Sequence, residues 1–305
     1  RQLLLVTGHY ADGSRRDLST QARYTSLTPR RVRVGRDGTV YAVGDGAGRV
    51  RAAVGTLTAD ARVAVSDTRQ PRTISFTRDI LPILTRAGCN SLACHGSPVG
   101  KAGFKLSMYG YDAQADYFAI LAGKRLPENG GGPRVDLDRP ESSLLLLKPT
   151  ASVPHLGGPR FRVGSPEYET LLAWLKAGAP GDDFATLPRL VELRLAPADA
   201  ELPRPGSRQR LLVTAVYSDG TSEDVSHQAI FSTNDSAVAI AADDPVVEAT
   251  GAGETAILAR HRGKVGVATV RVPPPWKVTA RDYARFVPAN FIDRLMLERW
   301  RQLRL

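Results

Sequence analysis

LLVTGHYADGSRRDLSTQA, from Leu4 to Ala22, and LLVTAVYSDGTSEDVSHQA, from Leu211 to Ala229, are two copies of one pattern. Tyr10 matches Tyr217, Asp12-Gly13 matches Asp219-Gly220, Asp17 matches Asp224, and Gln21-Ala22 matches Gln228-Ala229. The copies continue, with VRVGRDGTVYAVGDGAGRVRAAV after Arg31 echoed by VAIAADDPVVEATGAGETAILAR after Ala237. Such self-similarity marks a duplicated structural unit. Leu211, Val213, Ala215 and Tyr217 alternate towards an Asp-Gly turn, and turn signals recur between short runs of this kind, which predicts β-strands in a sandwich. The second copy has an extra leading run, Leu190 to Leu195, that the first lacks.

The chain is 305 residues long with a formal net charge of +10. At a prior of roughly 150 residues per domain it divides into two or three domains. The positive charge comes mainly from arginine and is scattered over predicted strands and turns (Arg15, Arg16, Arg30, Arg31, Arg33, Arg36, Arg49, Arg51). A nucleic-acid site gathers such charge on one stripe, so no nucleic-acid partner is expected. No apolar run reaches the ~20 residues of a membrane span. The chain opens on the strand-like RQLLLVTGHYADG with no leader, which is expected to be a trimmed end.

Between the repeats, residues 72–184 turn helical in pattern. Thr77 is predicted to cap a helix carrying Ile80, Ile83 and Leu84, and Asp112 a second with Tyr117, Ile120 and Leu121. Asp138 with Pro140 is predicted to start a third through Leu144–Leu147. Ser165 with Pro166 opens the best-defined one, with Tyr168, Leu171, Leu172 and Leu175 on one face. Asn129-Gly-Gly-Gly-Pro133 reads as a flexible excursion.

The two cysteines of the chain lie in this segment, in Cys89-Asn-Ser-Leu-Ala-Cys94-His95. Covalent haem attachment needs two thiols and a histidine directly after the second, usually as C-x-x-C-H; here two more residues separate the thiols. Three other readings of the same residues stand beside it: a Cys89–Cys94 disulfide in an exported protein, a zinc site short of its fourth ligand, and free buried thiols. His9 and His227 read as ordinary strand or surface histidines.

GCNSLACHG, GFKLSMYGYDAQADY, DRPESSLLLLKPT and PHLGGPRFRVGSPEYETLLAWLKAGAP resemble the cytochrome c-like domains of planctomycete-type multidomain proteins, which carry a C-x4-C-H motif among immunoglobulin-like domains. Both repeats resemble bacterial immunoglobulin-like domains of the second group. The resemblance spans essentially the whole chain. It implies two all-β immunoglobulin-like sandwiches, the first N-terminally incomplete (1–68) and the second at 187–272. They flank an all-α cytochrome c-like haem domain (72–184), and 273–305 forms a linker and the first helix of a further domain. One covalently attached haem c is implied, held by Cys89 and Cys94 and ligated through its iron by His95.

For the sixth iron ligand, His155 stands in Pro-His-Leu-Gly-Gly just ahead of the Ser165 helix; Met108 or an open iron are the alternatives. Arg160 and Arg162 follow this loop and read equally as propionate partners or as solvated cations. The resulting expectation is an electron-transfer module, periplasmic or on the cell surface. It would exchange electrons with a redox partner protein or a downstream domain, with no catalytic residues within these 305. A structural or adhesive surface protein with a redox-inert centre, and an open-iron haem enzyme, are the competing functions.

Overall fold

The computed structural model describes residues 1–70, 73–122, 132–243, 245–276 and 278–303. The first repeat forms β1 (Gln2–Leu3), β2 (Thr7–His9), β3 (Arg15–Asp17), β4 (Arg23–Ser26), β5 (Val32–Val34), β6 (Thr39–Ala42), β7 (Gly46–Val54) and β8 (Leu57–Val65). They pair as β1-β6-β5, β2-β3 and β4-β7-β8. Between the repeats come α1 (Leu81–Arg86), α2 (Ala113–Leu121), α3 (Leu144–Leu147) and α4 (Pro166–Lys176).

The second repeat begins with β9 (Leu190–Ala196) and β10 (Asp199–Glu201). It continues through β11 (Arg208–Arg210), β12 (Leu212–Tyr217), β13 (Ser222–Asp224), β14 (Ile230–Thr233) and β15 (Ala239–Asp243). β16 (Val246–Ala249), β17 (Gly253–His261) and β18 (Lys264–Val272) complete it. α5 (Ala280–Ala284) and α6 (Phe291–Leu303) follow.

The repeats match in register as well as in sequence. Gly46 opposes Val65 where Gly253 opposes Val272, and Thr7 opposes Asp17 where Thr214 opposes Asp224. Two strands distinguish the second: β9, antiparallel to β12, and β10, parallel to β18. Their side chains close its core. Val213, Tyr217, Val270 and Val272 are buried there, whereas the corresponding Val6, Val63 and Val65 are half-buried and Tyr10 is exposed. At Gly266 an added Cβ would lie 2.4 Å from Leu195 Cδ1, so glycine lets β9 seat on β18.

The expected fold class is corrected here. Regular structure is predominantly β, and residues 72–184 do not make an all-α cytochrome c-like domain: only α2 and α4 exceed two turns, and loops join the rest. Prolines and glycines interrupt the apolar runs. Pro140–Ser142 forms a 3₁₀ turn, so the third helix shrinks to Leu144–Leu147, and its approach is held by Asp136, which accepts from Asp138 N and Arg139 N. Ser75 rather than Thr77 caps the first helical turn, accepting from Arg78 N at 3.1 Å. That turn, Phe76–Ile80, is π-helical. Asp112 and Ser165 cap α2 and α4 as their spacing requires, by accepting from Ala115 N and Tyr168 N. Part of the glycine excursion, 129–131, falls outside the described residues.

The helices share one apolar centre around Trp174, which is fully buried and donates from Nε1 to Pro180 O at 2.9 Å. Phe76 meets Tyr117 edge-on at 5.3 Å and lies 5.7 Å from Trp174. Arg86 Nη1 reaches Ala229 O at 3.0 Å, and the Arg78 guanidinium lies 5.1 Å over the Tyr217 ring, joining this segment to the second sandwich.

His261, at the end of β17, stands where the first repeat has Val54, and it is almost wholly buried. Burial, with the Arg262 charge adding to it, pushes its imidazole down to about 3. The unfolded chain binds a proton at this residue below about 6.5 that the folded one refuses, so stability must fall as pH drops from about 6.5 towards 3. His261→Leu is expected to reduce that slope by about 1.4 kcal/mol per pH unit between pH 6 and 4. Urea unfolding at several pH values, with equal slopes in both proteins, would refute it.

Candidate functional site

The helical segment encloses a cavity of about 510 Å³, within the usual range for small-ligand sites of roughly 300–1,000 Å³. Its walls are largely apolar, from Leu84, Phe104, Leu106, Leu144 and Leu145. Cys89, Cys94, His95 and His155 all line it, brought together from two loops far apart in sequence. Arg160 lines it too, whereas Met108, on a 3₁₀ turn and nearly half exposed, and Arg162 do not.

The cysteine loop is built by its own backbone. Cys89 N donates to Leu84 O, His95 N to Cys89 O at 2.8 Å, and Cys94 N to Ser91 O at 3.0 Å. The four residues between the thiols thus fold into a closed turn. A Cβ at Gly96 would lie 2.1 Å from Asn90 O, so only glycine permits that closure. Asn90 is fully buried beneath the turn and donates from Nδ2 to Thr85 Oγ1 at 2.8 Å.

Both histidines are oriented in the same way. His95 Nδ1 bonds Phe104 O at 2.9 Å, and His155 Nδ1 bonds Gly158 O at 2.9 Å. A carbonyl only accepts, so each Nδ1 carries a proton, and it is the Nε2 of each ring that has no protein partner and, in the neutral form, a free lone pair. An added Cβ at Gly157 would come within 3.2 Å of His155 Nε2, so glycine keeps that atom uncrowded. Burial holds the His95 imidazole below its ordinary value despite the Phe104 carbonyl; the nearby His155 acts in the same direction.

Positive groups surround the apolar walls. Arg134 stacks on Phe104, 4.0 Å from the ring centroid, and donates to Ala119 O. Burial draws its guanidinium down, as expected of a cation held off from solvent. Arg160 Nη2 approaches Cys94 Sγ at 3.5 Å. Lys148 caps Pro154 O at 2.8 Å, and Lys101 completes the rim. Among the described residues no lining side chain is acidic. Sequence reading missed Arg134 and Phe104, which only the folded loop carries to the cavity.

Elsewhere, His9 lies exposed on β2, and His227 Nε2 approaches Thr39 Oγ1 at 3.3 Å between the two repeats. Both cysteines are free thiols. Among the described residues no group of three or more His, Cys, Asp or Glu side chains is placed to hold a metal ion between them.

Comparison with known proteins returns a family match over residues 20–67, to the bacterial Ig-like domain. No curated protein matches the sequence. Solved structures with some likeness are domains 4 and 5 of the S-layer protein SbsC (10% identity, 87% of this chain, 78% of that one, TM-score 0.24) and SbsC domains 4–9 (10% identity, 90% of this chain, 25% of that one, TM-score 0.25). Those TM-scores lie too low to establish a common arrangement.

The resemblance to a planctomycete-type cytochrome protein is therefore corrected. The one family match, over residues 20–67, is to an immunoglobulin-like domain, the regular structure is mainly β, and no multi-residue metal cluster occurs among the described residues. An electron-transfer module is withdrawn with it, as are the iron-protein and cytochrome descriptions. No described helix is long and apolar enough to cross a membrane.

Burial pushes the Cys89 thiol up to about 11, the neighbouring Cys94 adding to the rise and the Arg160 charge opposing it. At pH 8 only about one molecule in a thousand would carry the Cys89 thiolate. Iodoacetamide modification of Cys89, in protein with both cysteines free, is expected to accelerate about tenfold per pH unit from pH 7 to 9. A flat rate, followed by peptide mass spectrometry, would show the thiol to be ionised already.

Proposed function

We propose that this chain is a structural component of an exported surface protein, its two immunoglobulin-like repeats closing into one load-bearing unit around the helical segment. The observation that carries the reading is a reciprocal exchange between the repeats. Leu3 N donates to Asp224 Oδ2, and Arg210 N donates to Asp17 Oδ2. Leu3 and Arg210 are equivalent positions, as are Asp17 and Asp224, so one contact is made twice about a local two-fold axis. Arg210 Nη1 adds a bond to Leu4 O at 2.9 Å. Repeats joined in this way act as a bracket rather than as beads on a thread. The family match at 20–67 supports the immunoglobulin-like part of the reading, and an exported or surface location is part of the proposal. Brief protease treatment of intact source cells should release peptides from 1–65 and 190–272. Release only after lysis would overturn a surface location.

A cofactor proposal is separate from any redox role. Haem c would fit the cavity chemically: the two free thiols border it, and the free Nε2 atoms belong to two histidines that line it. In this proposal Cys89 and Cys94 would hold the ring by adding their S–H bonds across its two vinyl groups, His95 and His155 would face it with their Nε2 atoms, and Arg134 and Arg160 would offer charge to its carboxylates. Protein made with a haem c maturation system should keep the group through acid-solvent extraction. An intact mass equal to the bare polypeptide would exclude the attachment.

A further inference from the structure

The His95 imidazole is aimed by a segment that is itself held from α2. Residues 104–109 join the cysteine loop through three hydrogen bonds: His95 Nδ1 to Phe104 O at 2.9 Å, Leu106 N to His95 O at 2.8 Å, and Tyr109 N to Asn90 O at 3.1 Å. The Phe104 ring also packs on the imidazole, with 4.6 Å between centroids. Asp116, on α2, accepts from both Ser107 N and Ser107 Oγ, the latter at 2.6 Å, and the same hydroxyl accepts from Asp112 N at 3.0 Å. One turn further along α2, Ala119 O accepts from Arg134, whose guanidinium lies over the Phe104 ring at 4.0 Å. Asp116 is almost wholly buried and stands apart from the cavity lining. Burial pushes its carboxyl up to about 6, with the two bonds from Ser107 opposing the rise and Asp112 adding to it. A buried carboxylate is costly unless its oxygens are used. Here both are used on the residue that anchors the His95 segment.

We infer that Asp116 is a positioning residue for His95. Through Ser107 it holds residues 104–106 where the Phe104 carbonyl takes the Nδ1 proton, which leaves Nε2 as the atom offered to a ligand in the cavity. Arg134 supports the same segment from its second side chain contact, on the Phe104 ring. His155 takes no part in this relay, because Gly158 O in its own loop orients it. A ligating imidazole needs one fixed tautomer, and a partner outside the site commonly fixes it. The inference deepens the cofactor reading above and rests on it for the identity of the ligand.

The full chain, free of haem and with both cysteines reduced, provides the test. Imidazole nitrogen resonances are read at pH 8, above the ordinary histidine value of about 6.5, together with amide hydrogen exchange. In the wild type both histidines should carry the Nδ1 proton. Asp116→Ala should move His95 towards the Nε2–H tautomer and leave His155 as it was. Exchange at the Leu106 amide should rise about tenfold, as loss of a charge-assisted anchor implies. Asp116→Asn still offers an oxygen to Ser107 N and a polar group to its hydroxyl, and should restore both readouts. Ser107→Ala cuts the same joint more mildly, should shift His95 part of the way, and decides alone if Asp116→Ala does not fold. His95 unmoved in these two alanine variants would overturn the inference. So would equal movement of both histidines, which marks a general loosening of the cavity. The two ideas fail separately: absence of covalent haem after maturation sinks the cofactor reading alone, and a His95 indifferent to Asp116 sinks this inference alone.

Discussion

Two backbone amides, those of Leu3 and Arg210, lie at the ends of the equivalent strands β1 and β11, and each is taken up by a carboxylate of the other repeat. A buried amide without a partner costs on the order of 1–3 kcal/mol, and a carboxylate is among the best acceptors available. Each repeat therefore completes the other. Asp17 and Asp224 are not free to take other roles, because each also holds its own turn: Asp17 Oδ1 accepts from Ser19 N at 2.8 Å and Asp224 Oδ1 from Ser226 N at 2.9 Å. One carboxylate thus fixes a local turn and a long-range contact at once, and it does so twice.

From this exchange the rest of the arrangement follows. Once the repeats are joined, the helical segment between them is held near the second sandwich, where Arg86 and Arg78 meet Ala229 and Tyr217. Thr77 N donates to Asp182 Oδ2 at 2.7 Å, which ties the two ends of that segment together. The aromatic centre of Phe76, Tyr117 and Trp174 then packs on one side of α4, and the cavity opens beyond Leu84, Leu145 and Phe104. The second sandwich, with β9 and β10 in place, carries the larger core. The first is buried fully only at Leu3, Val32, Val40 and Val50 among its large aliphatic residues.

The cavity illustrates how oriented polar groups are built from irregular chain. Neither histidine sits on a helix; each is aimed by one carbonyl in a tight loop, and glycines supply the clearance. Fixing the tautomer in this way is what a ligating or proton-transferring imidazole needs. Among the described residues the lining is apolar with a positive rim.

By itself the sequence determined the duplication, its shared turn chemistry and the alternation that makes strands, because these are local and repeat at equivalent positions. It also determined the caps at Asp112 and Ser165, and it singled out Cys89, Cys94, His95 and His155. It misled on helix content, since a run such as Leu144–Leu147 is apolar enough for a helix but is cut short by Pro140 and Pro149. A motif of two thiols and a histidine, read with that inflated helix count, pointed to an all-α domain that the chain does not form. Tertiary structure alone decided that His155 returns to the cysteine loop, that Arg134 reaches the cavity, and that Asp17 serves Arg210 as well as its own turn. The physical reason is range: periodicity and capping act within a few residues, whereas the partner of a buried amide is settled only when distant segments compete for it.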